Sequence, residues 1–487
     1  MNVCFMCDLH LPFDKNALQY DVLDWAIQDI IKNQPDAVIF VGDMTCDGNI
    51  NTFLYGLEKI KKIGIPFLFI PGNSDLRDSS SREIIKNYTS ALINIINNVC
   101  FIAINDSDKT ISEETFHALD DVDENCIVFM HHPIEEFSKD DKSKLLSWKE
   151  THLTTPLFYG HLHQDLRKDN TFSLQALDPD KAIGECPCIS YYDTVSRNIR
   201  KEHYQAPIPK DFYAYFGLSV YRIKEDIEFA IKNKINYLEL RYDCIYENVE
   251  LLLSLLSNWR NCGGKDISIH LPEIYYKNEQ VVLHKDFDDL LNFAVKIKAN
   301  RFTQHVPNIS VKTINDNPKI LDKISLALAE KLNKLPITFT LGVENMHMTE
   351  ADEANENRRF GYLPEECLLF MYALRAKCKF FVGINFDTGH ARNNAPYSQK
   401  YQISTWLSQI GKYCVGYHIH QVLLTDTGFE NHMPITDVYG QLISYASFFK
   451  CWETNRISKS PVVFEMRPDD AYEITLNAFN LLNKKNN

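Results

Sequence analysis

The sequence predicts two α/β domains in tandem. A helix-covered sheet is expected over residues 1–205 and a (β/α)8 barrel over 214–487, joined by a linker at 206–213. Three observations carry this. Short apolar runs of strand length alternate with helical patterns along the chain. From about Tyr215 the alternation becomes regular, giving eight strand–helix units, and the stretch matches the usual size of such a barrel. Between the two regimes lies a non-periodic segment with Pro207 and Pro209, as a linker requires.

In the first half, Val3–Cys7, Ala37–Val41, Phe67–Ile70, Ile127–Met130 and Leu157–Tyr159 read as buried strands, because each is a brief apolar run ending in a polar cluster. Val22–Lys32 and Thr52–Lys62 carry helical spacing. In the second half, strands are expected at Tyr215–Val220, Tyr237–Arg241, Ile267–Leu271, Arg301–His305, Ile337–Glu344, Phe380–Asp387, Val415–His420 and Pro461–Glu465. Helical patterns at Glu225–Asn233, Val249–Trp259, Phe287–Lys298, Ile320–Lys331, Pro364–Ala376 and Ser404–Tyr413 separate them.

Composition narrows the class. Among 487 residues, 45% are hydrophobic and 24% charged, which excludes a mostly disordered or fibrous chain. No run approaches the roughly 20 apolar residues of a membrane span, so no membrane partner is expected. Met1–Cys7 reads as a first strand rather than a signal peptide. The thirteen cysteines, an odd number without framework spacing, point to a reducing, cytoplasmic setting. Net charge −14 argues against a globally basic nucleic-acid binder. The acidic excess sits in residues 1–205, where 19 Lys and Arg face 32 Asp and Glu. The barrel is near neutral, so nucleic acid is not excluded there.

Polar residues follow each predicted strand of the first half: Asp8-Leu9-His10, Gly42-Asp43, Gly72-Asn73-Ser74-Asp75, His131-His132-Pro133 and Gly160-His161-Leu162-His163. All can converge on one sheet edge, where sites form in open α/β sheets. Carboxylate, amide and imidazole together suit a divalent pair such as Mn, Fe or Zn. This ordered set resembles the calcineurin-like metallophosphoesterase superfamily over about residues 1–200, which implies an α/β sandwich. The resemblance implies that Asp8, His10 and His163 hold one metal, Asn73, His131 and His161 the other, with Asp43 bridging. His132 is expected to touch substrate or a ligand. The family usually has His where Ser74 stands; that His assists departure of the leaving group, and serine cannot act as a general acid near neutral pH.

The barrel half repeats the pattern at its strand ends, where barrel sites lie. The residues are His270, His305, Glu344, Asp387 and His390 in Asp-Thr-Gly-His, His418-Ile419-His420, Glu430-Asn431-His432, and Glu465. They resemble the xylose isomerase-like barrels, a superfamily of sugar isomerases and epimerases that includes endonuclease IV. Glu344, Asp387, His418 and Glu465 match the superfamily's shared metal site. The nine-residue set of His270, His305, Glu344, Asp387, His390, His418, Glu430, His432 and Glu465 stands at points comparable to the three-zinc site of endonuclease IV. Eight match in type. Glu430 replaces an Asp, and His420 stands where that family usually has Asn. Multinuclear sites suit phosphoester cleavage, whereas one metal with Glu344 and Glu465 as paired carboxylates suits proton transfer. One to three Zn or Mn ions are expected here. Arg241, Arg392 and Arg467 are candidates for holding a substrate phosphate or carboxylate.

Three readings follow. The first is a two-site hydrolase acting on a nucleotide, oligonucleotide or small diester, with Asp43, His132, Glu344 and Glu465 in the chemistry. The second is a sugar-phosphate enzyme that removes phosphate in one domain and isomerises or epimerises the sugar in the other. The third, motivated by Ser74, is a non-enzymatic metal-stabilised scaffold. Oligomeric state is not legible.

Overall fold

The computed structural model describes every residue except 123–125, 246–247, 337, 348–356, 393–396, 426–427, 441 and 487. The chain divides into two compact units, Met1–Pro207 with Val438–Ser447, and Ile208–Asp437 with Phe448–Asn487.

The first unit is built on eleven strands: β1 (Asn2–Met6), β2 (Ala37–Val41), β3 (Phe67–Ile70), β4 (Ile93–Ile96), β5 (Val99–Ala103), β6 (Cys126–Met130), β7 (Leu157–Tyr159), β8 (Leu166–Lys168), β9 (Thr171–Ser173), β10 (Cys188–Asp193) and β11 (Ile199–His203). They form two sheets, β11-β10-β1-β2-β3 and β4-β5-β6-β7-β9-β8. β1, β2 and β3 run parallel, as do β5, β6, β7 and β9. Strand alternation sends Val3 and Phe5 into a core shared with Phe129 and Phe158 of the other sheet. Cys4 and Met6 face the helices Leu18–Asn33 and Ile50–Lys61. Leu119, Leu145 and Trp148 cover the outer face of the second sheet. The expected α/β sandwich is therefore present, with apolar side chains on both faces of each sheet. The second helix starts at Ile50, ahead of the expected Thr52, because the Asn49 side chain accepts from Asn51 and Thr52 N–H and caps it.

Five strands of the first unit match expectation to within a residue; most of the others carry mixed or exposed patterns, as in Leu166–Lys168, whereas Cys188–Asp193 is buried and was not expected. Val438–Ser447, read from sequence as part of the barrel, belongs to the first unit. There Tyr439 O accepts from Gly184 N–H at 2.8 Å, Asp180 O accepts from Ser444 N–H at 3.1 Å, and the Ser447 hydroxyl donates to the Asp180 carboxylate.

The second unit is a closed parallel barrel of β12 (Phe216–Val220), β13 (Tyr237–Arg241), β14 (Asp266–His270), β17 (Arg301–His305), β18 (Thr340–Glu344), β19 (Phe381–Asp387), β20 (Cys414–Ile419) and β23 (Val462–Phe464). Two hairpins, β15–β16 (Tyr275–Lys277, Gln280–Val282) and β21–β22 (Gln421–Thr425, Gly428–Met433), stand outside it. The eight expected strands are the eight observed. The fifth begins at Thr340 rather than at Ile337, which lies outside the described residues. Closure needs no turn chemistry of its own: near-continuous apolar runs such as Val382–Phe386 are buried on both faces, as parallel strands under helices must be. Residues expected to link the domains are packed, with Phe212 fully buried against Phe448, Phe449 and Trp452.

Candidate metal centres

In the sandwich, every proposed donor lies just past the C-terminal end of a parallel strand. The loops after β1 and β2 are zipped together by Asp8 N–H to Gly42 O and His10 N–H to Asp43 O, each 3.0 Å. Asp8, His10, Asp43, His161 and His163 all have φ between 48° and 68°, a conformation that costs a non-glycine residue roughly 1–2 kcal/mol. That expenditure turns the side chains inward.

Asp8, His10 and His163 come together as expected, with their donor atoms within 4.8 Å of one another. His10 Nε2 and His163 Nε2 lie 3.2 Å apart. Asp8 Oδ2 accepts from His161 N–H at 2.9 Å, while its buried Oδ1 has no hydrogen-bond partner. Asp43 Oδ2 lies 3.7 Å from His10 Nε2 and 3.6 Å from His131 Nε2, between the two groups, as a bridging carboxylate should. His131 Nδ1 is 3.0 Å from Val41 O. A carbonyl only accepts, so Nδ1 carries a proton and Nε2 is the nitrogen turned toward the site, 3.2 Å from Asn73 Oδ1. Gly42 permits this approach: a Cβ there would meet His131 Nδ1 at 2.3 Å, and its φ is +81°.

His132 clusters with His131 and His161. Its Nδ1 faces Asp106 Oδ2 at 3.2 Å, and Asp106 also accepts both His131 and His132 N–H. Ser74 is bound to Asp43: its N–H donates to Oδ1 at 2.7 Å and its hydroxyl to Oδ2 at 2.9 Å. Ser74, read from the sequence as standing in for a histidine, thus orients the Asp43 carboxylate. Burial would lower the His131 imidazole, but the Asp43 charge overrides it and pushes it up to about 10. Burial drives His161 down to about 4.

In the barrel, His270, His305, Glu344, Asp387 and His418 stand at the ends of strands, Glu465 just past one, His390 on the short helix after Asp387, and Glu430 and His432 on the hairpin strand β22. Glu344 is central, with Oε2 3.3 Å from His270 Nε2 and Oε1 at 3.5, 3.5 and 3.2 Å from His305, His390 and His418. His418 Nδ1 is also 2.8 Å from Glu465 Oε2 and 3.8 Å from Asp387 Oδ2. Donor atoms of Glu344, Asp387, His418 and Glu465 lie mutually within 4.8 Å, as do those of His270, His305 and Glu344. His270, His390 and His432 each place Nδ1 within 3.0–3.2 Å of a main-chain carbonyl, those of Leu271, Asn345 and Glu465. Each therefore keeps Nε2 as its lone pair, the tautomer a metal ligand needs.

Asp387 is held by Asn345 Oδ1, which accepts its N–H at 2.8 Å, and accepts from His390 N–H at 2.6 Å. His420 Nε2 lies 3.2 Å from Asp387 Oδ1, its ring seated where a Cβ on Gly389 would be 1.9 Å away. Burial would raise Asp387, but His390 and His420 bring it to about 2. Glu430 is exposed on β22 while His432 is buried. A regular strand would put both on one face; His432 at φ 60° breaks that alternation.

The arginines differ. Arg241 Nη1 donates to Glu465 Oε1 at 3.1 Å, and its Nε pairs with Asp243 at 3.3 Å. Arg392 is half-buried at the end of the short helix Thr388–Arg392, and Arg467 is exposed. Residues the sequence did not mark are Glu239, Tyr221, Asn345 and Glu273 in the barrel, and Asp106 and Glu136 in the sandwich. Glu136 lies 3.1 Å from His161 Nε2. Glu239 carried a signal, a charge at an inward position of an otherwise apolar strand.

Both sets fit divalent ions. Buried Asp8 Oδ1, Asp387 Oδ2 and Glu465 Oε2 have no hydrogen-bond partner, and each is close to imidazole nitrogens. Burial of a charge without such compensation is costly. Asp8, His10, His163, Asn73, His131, His161 and Asp43 would hold two ions in the sandwich. Glu344, Asp387, His418 and Glu465, with His270 and His305, would hold the barrel's. Bound ions supply polarisation of a phosphoryl oxygen and stabilisation of transition-state charge.

Among the described residues no helix is long and apolar enough to cross a membrane. Residues 1–165 match the family model of the calcineurin-like phosphoesterases. A probable cyclic nucleotide phosphodiesterase of Pseudoalteromonas sp. is 28% identical over 191 residues, 34% of this chain and 73% of that protein. A probable glycerophosphodiester phosphodiesterase of Arcobacter nitrofigilis is 40% identical over 53 residues, 11% of this chain and 19% of that protein. Solved structures similar to parts of the chain include a D-tagatose 3-epimerase-like protein (20% identity, 56% of this chain and 100% of that one, TM-score 0.39). A dimetal phosphatase of Danio rerio is another (12% identity, 42% and 99%, TM-score 0.32). The first 165 residues of the chain are thus similar to the calcineurin-like phosphoesterases, and this similarity supports a metal-dependent phosphoesterase there.

Proposed function

We propose that the protein is a two-site hydrolase of phosphoesters. A dinuclear site in the sandwich cleaves a diester, and a multinuclear site in the barrel acts on a second phosphoester, with a nucleotide, oligonucleotide or small diester as substrate. Two Mn, Fe or Zn ions serve the first site and up to three Zn or Mn ions the second. The observation that carries the first reading is Asp43 Oδ2 between His10 and His131. The names of both curated relatives, which are diesterases, favour a diester. The barrel reading is supported by three histidines in the ligating tautomer around four buried carboxylates and imidazoles. Tyr221 and Arg241 already occupy Glu465 Oε1, an arrangement that suits a metal ligand better than a base taking a proton from carbon.

The test uses the full chain loaded with Zn or Mn and a panel of a cyclic nucleotide, a glycerophosphodiester, an aryl diester and a short oligonucleotide. Asp43→Asn should abolish one activity by at least about 100-fold, and Glu344→Gln another, each leaving the other intact. Elemental analysis should give more than two ions per chain, falling toward two in Glu344→Gln. Identical cleavage of the panel by Glu344→Gln and parent overturns the barrel reading. Solvent deuterium entering a sugar would assign the barrel to isomerisation instead.

A further inference from the structure

Strand β13 reads Tyr237-Leu238-Glu239-Leu240-Arg241, and its alternation places Glu239 and Arg241 on the same, inward side of the barrel. Two opposite charges two residues apart on a buried strand need partners. Glu239 is 1% exposed. Its Oε2 accepts from the Ser268 hydroxyl at 3.0 Å and the Thr303 hydroxyl at 2.5 Å. Its Oε1 has no hydrogen-bond partner and faces His418 Nε2 at 2.8 Å, a close ion-pair contact. Arg241 lies with its guanidinium 5.0 Å over the Tyr221 ring. Both residues donate to the same atom, Glu465 Oε1, at 3.1 Å from Arg241 and 3.0 Å from Tyr221. Glu465 Oε2 is left facing His418 Nδ1 at 2.8 Å with no hydrogen-bond partner.

An imidazole has two nitrogens and a carboxylate two oxygens. Whichever atom the protein occupies, the other is presented to an ion. We infer that Glu239 and Arg241 are the positioning pair of the barrel's metal site, Glu239 turning His418 to present Nδ1 and Arg241, with Tyr221, turning Glu465 to present Oε2. The inference rests on reading the barrel as a metal site. It goes beyond that reading by assigning Arg241 to a ligand rather than to substrate, and by giving a role to Glu239, the middle residue of β13. One strand then sets the orientation of donors from two others, β20 and the end of β23.

Zinc affinity is measured on the full chain by competition with a chromophoric chelator. Asp43→Ala and His131→Ala are both present, to silence the sandwich site. Glu239→Ala and Arg241→Met should each weaken zinc binding by about 10–100-fold, the range for supporting partners of metal ligands. Glu239→Gln keeps an acceptor oxygen toward Nε2 and should stay within about threefold of the parent. Affinities of Glu239→Ala and Arg241→Met within twofold of the parent, with unchanged circular dichroism, overturn the inference. Should Glu239→Ala fail to fold, cadmium-113 loading of the parent chain with nitrogen-15 histidine decides. Coupling of the ion to His418 Nδ1 supports the pair, and coupling to Nε2 overturns it. A parent chain that takes up no ion at all in the barrel refutes the metal site itself, a result distinct from loss on substitution.

Discussion

In the sandwich most donors sit beyond the strands on backbone turned left-handed; in the barrel Glu344, Asp387, His418 and Glu465 sit at or next to strand ends without positive φ. Five sandwich donors have positive φ, against His432 alone among the barrel's proposed donors. The reason lies in how each fold converges. Two stacked sheets present parallel strand ends side by side, so Asp8, Asp43 and His163 reach a common point only if the chain bends back over the edge. A closed barrel aims alternate side chains at its own axis, so Glu344, Asp387, His418 and Glu465 meet without distortion. These four are 0–3% exposed, and their charges must offset one another. Both sites bury charge, Asp8 and Asp43 at 0–2% exposure included, but only the sandwich adds left-handed backbone at most of its donors.

Three outcomes would break or sharpen this contrast. The largest is expected from Glu344→Ala in metal-free protein. Its loss leaves His270, His305, His390 and His418 without their shared carboxylate, and the barrel should lose about 3–5 kcal/mol in denaturant unfolding. A change below about 1 kcal/mol would show that the buried charges are not mutually dependent. Next is His163→Gly in the sandwich. Relief of the φ 58° conformation should raise metal-free stability by about 1 kcal/mol while zinc or manganese uptake at that site falls. A destabilised variant would mean that the strain is not stored there.

The smallest effect is a shared one. Glu185 in the first unit and Glu273 in the second are both held at about 2, burial raising each and the partners outweighing it. The partners are His203 and Lys201 for Glu185, and chiefly Arg359 and Asn308 for Glu273. Both folded values lie below the unfolded carboxylate value of about 4.3. Their stabilisation is therefore present above that pH and is lost as pH falls toward 2. Glu185→Gln and Glu273→Gln should flatten the acid limb of stability over that window, each by less than about 1 kcal/mol given partial solvent screening. A steeper acid limb in either variant contradicts these assignments.

The barrel's strand order and five of the sandwich's eleven strands were legible in the residues themselves. Periodicity marks eight barrel strands, and short motifs at strand ends mark both donor sets, because chemistry demands specific residue types at the termini of apolar runs. Composition and local pattern fix which residues are buried and where strands stop. The roles of Ser74, Glu239 and Arg241 were not legible. Ser74 reads as a missing acid until its hydroxyl and N–H are seen on Asp43. Arg241 reads as a substrate clamp until Glu465, 224 residues away in sequence, is seen accepting from it. Glu430 and His432 look equivalent until a single left-handed residue sends them to different sides. Sequence determines the donors, because residue type sets which atoms can bind an ion. Only the tertiary structure decides which nitrogen or oxygen each one presents, because that depends on partners the chain brings in from far away.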